Sequence, residues 1–272
     1  MSQILHIPAS IQAHLAAGDG FDAMMKLTGK AFRNVPGRKT MQVTLGSKRY
    51  FIKQHFGVGW AEILKNILSL KKPILGALTE VSAIQKLAEI AIPTTPLVAY
   101  GQRGINPATL QSFILTEDLG EIISLEDLCA DWQTQLPTAA FKQQLVIAVA
   151  QLAAKLHAAG LCHRDFYLCH FVIKQADLNK GELNLILIDL HRMLQNQASN
   201  GTAVMKDIAG LFFSAMDSWT QDDYALFQQH YLPQSAQFWQ QVHNRAQKLH
   251  AKFNSHQFQQ RLRAEKSAIE VD

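Results

Sequence analysis

Apolar and polar positions alternate along "MQVTL" and again along "RYFIK", and "GSK" lies between them with Gly46 in the turn. Period-two alternation around a short glycine turn predicts a β-hairpin, with Lys53 closing its second strand. Residues 59–70, "GWAEILKNILSL", change period: Ile63, Ile67 and Leu70 share one helical face, and "KKP" ends that helix. A second helix is predicted from about Leu78 to Ile90, stopped by Pro93. "PLVAY" and "SFILTEDL" read as strands. Beyond them the pattern turns helical. "ISLEDLC" opens on a Ser cap with acidic residues behind it, and a long helix covers about Ala139–Ala159. Its stripe is Phe141, Leu145, Val149, Leu152 and Leu156, and Gly160 ends it. Two short strand patterns, "FVIK" and "LNLILIDL", flank the turn-like "ADLNKG", and the remainder reads as helices.

The expected class is therefore α+β: a small β-rich lobe, residues 1–116, and a mainly helical lobe, residues 117–272. With 272 residues, 48% of them hydrophobic, the chain can bury a full core. Charged residues are 18% of the chain, which excludes a coiled coil or a disordered segment. A net charge of +4 is too mild to suggest nucleic acid, and none is expected as a partner. The charge is uneven, however. Between Lys30 and Trp60 lie seven Lys or Arg (Lys30, Arg33, Arg38, Lys39, Lys48, Arg49, Lys53) and no Asp or Glu. Arg245, Lys248, Lys252, Arg261, Arg263 and Lys266 form a second basic run. Either could face phosphates, or be a solvated face. Cys129, Cys162 and Cys169 make no disulfide framework, which suits a reducing cytoplasm. "MSQILHIPAS" has no signal-peptide pattern, and no stretch approaches the roughly 20 apolar residues of a membrane span.

The chemistry concentrates in "CHRDFYLCHF", residues 162–171. Its two Cys-His pairs raise the question of zinc. Zinc-binding pairs are usually separated by two to four residues so that both side chains turn to one ion, whereas Cys162-His163 and Cys169-His170 are adjacent and diverge. The other reading centres on Asp165. A long helix, then "HRD", then four residues, a ligand-type residue, a strand, and a second strand ending in "IDL" is the order of a protein-kinase catalytic core. Phosphoryl transfer needs a carboxylate to take the acceptor hydroxyl's proton and a metal to bridge the phosphates. Asp165 is the candidate base and Asp189 the candidate metal ligand. Between them lies the predicted hairpin, which would keep the carboxylates close.

Two parts should lie upstream. Lys53 is the candidate grip on the α- and β-phosphates. Glu80, a charge on the apolar stripe of Ile84 and Leu87, is the candidate holder of that lysine, with Glu62 as rival. Backbone groups around Thr116, Glu117 and Asp118 should meet adenine. His163 and Arg164 belong to the catalytic loop, and Asp207 in "KDIAGLFF" stands where kinases brace that loop's backbone. The cofactors implied are ATP with magnesium, or manganese. Two departures stand out. The glycine-rich phosphate loop is replaced by "RNVPGRKT", so Arg33, Arg38 and Lys39 are expected to supply charge where backbone amides usually act. His170 occupies the position of the second metal ligand, although imidazole suits magnesium poorly. It either binds the second metal weakly, contacts phosphate, or steadies the loop.

"HRDFYLCHF", "LIDLHR", "KNILSLKKPILGALTE", "GINPATLQSFILTEDL" and "ISLEDLCADW" together resemble the lipopolysaccharide core heptose(I) kinase family, the WaaP or RfaP family, from about Phe21 to Pro233. The family's His at the Asn position matches His170. Its arginine pair before a threonine appears as Arg38-Lys39-Thr40, which puts a lysine where bidentate contact would need arginine. The resemblance implies transfer of the γ-phosphoryl of ATP to O4 of the first inner-core heptose. The acceptor implied is the lipid A–core oligosaccharide, at the cytoplasmic face of the inner membrane, where the enzyme would be peripheral. It also implies acyl carrier protein as a partner. The helix expected over 57–72, with Trp60, Lys65, Lys71 and Lys72, either packs on the small lobe or touches the bilayer or a carrier protein. Two other readings stay open from the residues alone: a protein kinase acting on tyrosine, and a pseudokinase-type binding module.

Overall fold

The structure, a computed structural model, describes residues 3–35, 37–57, 59–60 and 76–260. The helix expected over 57–72 falls almost wholly outside the described residues, as do Glu62, Arg261, Arg263 and Lys266. The chain divides into two compact units, Met1–Glu121 with Ile186–Met193, and Ile122–Leu185 with Leu194–Asp272.

The first unit is built on one antiparallel sheet. Its strands are β1 (Gln3–His6), β2 (Lys30–Val35), β3 (Arg38–Leu45), β4 (Lys48–His55), β5 (Leu97–Arg103) and β6 (Gln111–Glu117), in the order β1-β5-β6-β4-β3-β2. The β3–β4 hairpin turns at Gly46, whose φ of 62° is one that side-chain-bearing residues resist. Alternation then sorts β4 into two faces. Tyr50, Ile52 and Gln54 point into a core with Phe21, Met24, Phe113 and Leu115, closed by the short helices α1 (Ala9–Gln12) and α2 (Gly20–Met25). Phe51, Lys53 and His55 take the opposite face. There Ser112 of β6 receives the amide of Ala77, which leads into α3 (Leu78–Glu89). So α3 lies over the lysine face, and it buries Glu80, Val81, Ala83, Ile84 and Leu87.

The second unit holds β7 (Ile122–Ser124) paired antiparallel with β8 (Phe171–Lys174). Its helices are α4 (Leu125–Cys129), α5 (Ala139–Ala158), α6 (Gln175–Leu178), α7 (Thr202–Ser214), α8 (Gln221–His230) and α9 (Ala236–Phe253). Four of the helix starts are capped by side chains, and the Ser124 cap is the one the sequence led to expect. Ser124 accepts from the amide of Asp127, Thr138 from that of Phe141, and Ser235 from that of Phe238. Thr220 and Asp223 form a reciprocal capping box on α8. α5 packs on α8 and α7 on α9. Phe212 of α7 sits at the centre, fully buried, in ring contact with Trp219, Tyr224, Phe227 and Trp239.

The expected α+β class holds, and three local expectations change. "ADLNKG" is not a simple turn: its first residues belong to the one-turn helix α6, and the strand beyond shortens to β9 (Ile186–Leu187). β8 pairs with β7, which the pattern had placed only at a helix start. β1 and β2 have no counterpart in the sequence reading. Both are sheet edges whose residues are all exposed, so no alternation marks them.

Phe212→Ala leaves a ring-sized hole in the aromatic cluster. It should cost about 3–5 kcal/mol, read as a lowered urea midpoint of the second unit.

Candidate active site

In the first unit the chain brings four charged side chains together. Lys53 Nζ lies 2.7 Å from Glu80 Oε1 and 3.1 Å from Asp189 Oδ1. The register explains the first contact: Lys53 stands opposite Ile114 on the face covered by α3, and Glu80 begins that helix. Asp189 follows β9, which is tied in by the Leu187 amide on the Pro93 carbonyl and by the Thr94–Leu187 bridge. Its φ of 62° is left-handed, a strained backbone that a non-glycine residue keeps only when its surroundings enforce it. Arg38 stands opposite His55 in the β3–β4 ladder and lies within reach of the Glu80 and Asp189 charges.

The electrostatics are those of a half-dry cluster. Burial pushes Asp189's carboxyl up, but the His191 bond at 2.7 Å and the Lys53 charge together hold it well below the usual range. Burial also lowers Arg38, opposed by Glu80 and Asp189. His55 is pushed down to about 3 by burial and by the cations Arg38 and Lys53, so it stays neutral. Two buried polar atoms in this cluster have no hydrogen-bond partner: Arg38 Nε, a donor, and Glu80 Oε2, an acceptor. An orphaned buried guanidinium N–H suits an anionic oxygen, so the residues fit a nucleotide phosphate. An ionised carboxylate is a hard oxygen ligand, so Asp189 fits a hard divalent cation such as magnesium.

The remaining residues expected to meet nucleotide are placed differently. Lys39 turns outward, its Nζ 5.7 Å from the Phe56 ring centre. Thr116 and Glu117 end β6. The Glu117 amide already donates to Pro96 O and the Asp118 amide to Arg49 O, so these two donors are engaged within the protein. The Asp118 carboxylate accepts from Gln42 at 2.7 Å and pairs with Arg49 at 3.3 Å.

The catalytic-loop residues sit in the second unit. Asp207 of α7, almost fully buried, accepts the backbone amides of His163 at 2.5 Å and Arg164 at 2.8 Å. Arg164 has a φ of 73°, and those two bonds hold this unfavourable turn just before Asp165. His170 places Nδ1 2.6 Å from the Asp165 carbonyl and stacks on the buried His163 ring at 5.4 Å. That ties the His170 ring to the loop. The zinc question also resolves by geometry. Among the described residues one trio has ligand atoms close enough to share an ion, and it is His157, Cys162 and Asp207 rather than the two Cys-His pairs. Asp207 is already occupied by amides, His157 Nδ1 lies 2.7 Å from Tyr231 Oη, and burial pushes the Cys162 thiol up to about 12. The trio reads as a brace under the loop. Sequence reasoning missed His55, His191, His157 and Tyr231. For His191 the adjacent "IDL" was a signal; for Tyr231 there was none.

Comparison with known proteins agrees with this geometry. Residues 22–231 match the model of the lipopolysaccharide kinase (Kdo/WaaP) family. The chain belongs to the lipopolysaccharide kinase family. The lipopolysaccharide core heptose(I) kinase WaaP of Pseudomonas aeruginosa is 42% identical over 200 residues, 73% of this chain and 75% of the relative. The WaaP of Escherichia coli K12 is also 42% identical, over 73% of this chain and 76% of its own. Among solved structures, WaaP in complex with acyl carrier protein superposes with a TM-score of 0.76 at 32% identity, covering 92% of this chain and 99% of that one. At that identity and score the fold of this lipopolysaccharide kinase is the kinase-like fold of WaaP.

His55 yields a pH test. Its folded pKa of about 3 lies below the ordinary 6.5, so the unfolded chain takes up the proton first as pH falls. The stability this neutral histidine confers is complete above about 6.5 and drains away between about 6.5 and 3. His55→Gln should lose less stability than wild type between pH 7 and pH 5 in urea titrations; equal losses would remove His55 from the cause.

Proposed function

We propose that this lipopolysaccharide kinase transfers the γ-phosphoryl group of ATP to a hydroxyl of the first heptose of the lipopolysaccharide inner core. The observation that carries the reading is Lys53 set between Glu80 and Asp189, with an unpartnered buried Arg38 Nε beside them, in a chain 42% identical to heptose(I) kinases.

Each residue then has a task. Glu80 aims Lys53 at the α- and β-phosphates, and Arg38 donates to a phosphate oxygen. Asp189 would hold the divalent cation, magnesium or manganese, which would neutralise charge on the phosphates. His191 fixes the Asp189 carboxylate through its 2.7 Å bond. Asp165 accepts the proton of the heptose hydroxyl as its oxygen bonds to the γ-phosphorus. The bond from that phosphorus to the β,γ-bridging oxygen breaks, and ADP leaves with the electron pair. His163, Arg164 and Asp207 hold Asp165 in register. His170 steadies the loop through the Asp165 carbonyl.

The acceptor under this reading is lipid A–core oligosaccharide. Among the described residues no helix is long and apolar enough to cross a membrane, so a lipid-linked acceptor would be met by peripheral contact at the inner-membrane surface. Acyl carrier protein is the proposed partner, on the ground that a structural relative is solved in complex with it.

The direct test is transfer from labelled ATP to purified core–lipid A lacking heptose phosphate. Wild type should label the heptose; labelling of a peptide in its place would overturn the acceptor. Asp165→Ala should lower kcat by about 10²–10⁴ with ATP binding intact, and turnover within tenfold of wild type would remove it as the base. Lys53→Ala should raise KM for ATP and lower kcat together, and an unchanged rate would take it out of the site.

A further inference from the structure

The second unit contains a chain of polar contacts of which the reaction scheme uses only the Asp207 end. Tyr231 Oη lies 2.7 Å from His157 Nδ1, and His157 Nε2 lies 3.4 Å from Asp207 Oδ2. That same Asp207 oxygen accepts the His163 amide, and its other oxygen accepts the Arg164 amide. All three side chains are buried: His157 has no exposed surface, Asp207 is 2% exposed and Tyr231 6%. Tyr231 directly follows α8, His157 ends the last turn of α5 and Asp207 lies in α7, so the chain links three helices to the loop that carries Asp165.

We infer that Tyr231 is a positioning residue for the phosphoryl transfer, acting through His157 and Asp207 on the backbone of the catalytic loop. The argument is one of donors and acceptors. Asp207 receives two amide N–H groups, so it acts as an acceptor, and His157 can address it only through a protonated Nε2. A neutral imidazole protonated there has a bare Nδ1, which must accept. Tyr231 Oη is the group at that nitrogen, and toward a neutral imidazole it donates. Burial, and then the nearby Cys162 and Asp207, push the Tyr231 phenol far up, so its proton is always present. The hydroxyl thus selects the tautomer that lets His157 hold Asp207. Without it either nitrogen could carry the proton, and the Nδ1–H form turns a lone pair toward a carboxylate.

The consequence falls on Asp165. Arg164 keeps its left-handed backbone while Asp207 holds the amides of His163 and Arg164. A loosened Asp207 lets that turn relax and moves the carboxylate one residue further on. Displacement by about 1 Å can cost about 10²-fold in rate. The nucleotide grip of Lys53, Glu80 and Arg38 belongs to the first unit and is untouched.

The inference rests on the reading of Asp165 as the base, and Tyr231→Phe tests it. The substitution removes the hydroxyl and keeps the ring that stacks on Phe227 at 5.5 Å and meets Trp239 at 5.7 Å. Expected are a fall of about 10- to 100-fold in kcat on core–lipid A and a KM for ATP within about twofold of wild type. The ¹⁵N shifts of His157 should report one tautomer, protonated at Nε2, in the wild type and a mixture in Tyr231→Phe. An unaltered kcat, or the same single tautomer in both proteins, would overturn the inference. So would a KM that rises in step with a lowered melting temperature, because that marks general loosening. The tautomer reading needs no acceptor: if Asp165→Ala retained turnover, the base would be misassigned, and the imidazole shifts would still decide whether Tyr231 sets the His157 tautomer.

Discussion

One positive charge facing two carboxylates organises the first unit. Lys53 is about one-fifth exposed at its side chain, Glu80 about one-twentieth, and Asp189 one-third. Taking Glu80 out of water is tolerable only because Lys53 meets it, and removing one partner of such a buried pair typically costs about 3–5 kcal/mol. The arrangement therefore fixes more than a contact. It dictates the register of β4 on β6, the face on which α3 must lie and the left-handed turn at Asp189. With Arg38 beside it the cluster sets two cations against two carboxylates, so the negative charge that a divalent cation would neutralise is that of a bound polyphosphate.

The second unit applies the same physics to a different end. Asp207 is a carboxylate without water, and its partners are chiefly backbone amides rather than a side-chain cation. Amides cannot swing away as a lysine can, so this arrangement trades adaptability for rigidity. That suits a loop whose task is to hold one carboxylate still. His157 and Tyr231 extend the rigidity into the helical core, where Phe227 and Trp239 lock the phenol. In the proposed reaction one unit would keep an adjustable cluster for a charged ligand, and the other a fixed support for Asp165.

Much of this was legible in the sequence, for reasons that differ by residue. Period-two alternation placed Lys53 on a strand face, and period 3.6 placed Glu80 on the buried stripe of a helix. Together they nearly force the meeting of the two charges, since each is a charge on an apolar surface. Ser124 and Gly160 marked helix ends because capping chemistry is local. The edge strands β1 and β2 left no trace, since a strand with both faces wet has no pattern to show. His55 and Tyr231 were invisible for the opposite reason. A histidine at a strand end and a tyrosine after a helix acquire meaning only from what the tertiary fold lays against them. His191 lay between: its neighbour Asp189 was read, but a hydrogen bond from residue i+2 to a carboxylate depends on the left-handed φ of Asp189, which no residue type announces.

The departure from a glycine-rich phosphate loop follows from the same accounting of donors. A loop of backbone amides offers neutral dipoles that need glycine to approach a phosphate closely. Here β3 is a regular strand through Arg38, and its backbone groups are engaged in the ladders to β2 and β4. Donors for a phosphate must then come from side chains, and Arg38 is the one that points to the Glu80–Asp189 cluster while Lys39, next along the strand, alternates outward. A regular strand can present only every second residue to a ligand. In the proposed reaction one arginine with a buried, unpartnered N–H would stand in for several amides, and the grip would be a charged fork rather than a neutral cradle. Such a fork prefers anions of high charge density and is weakened by salt more than an amide nest is.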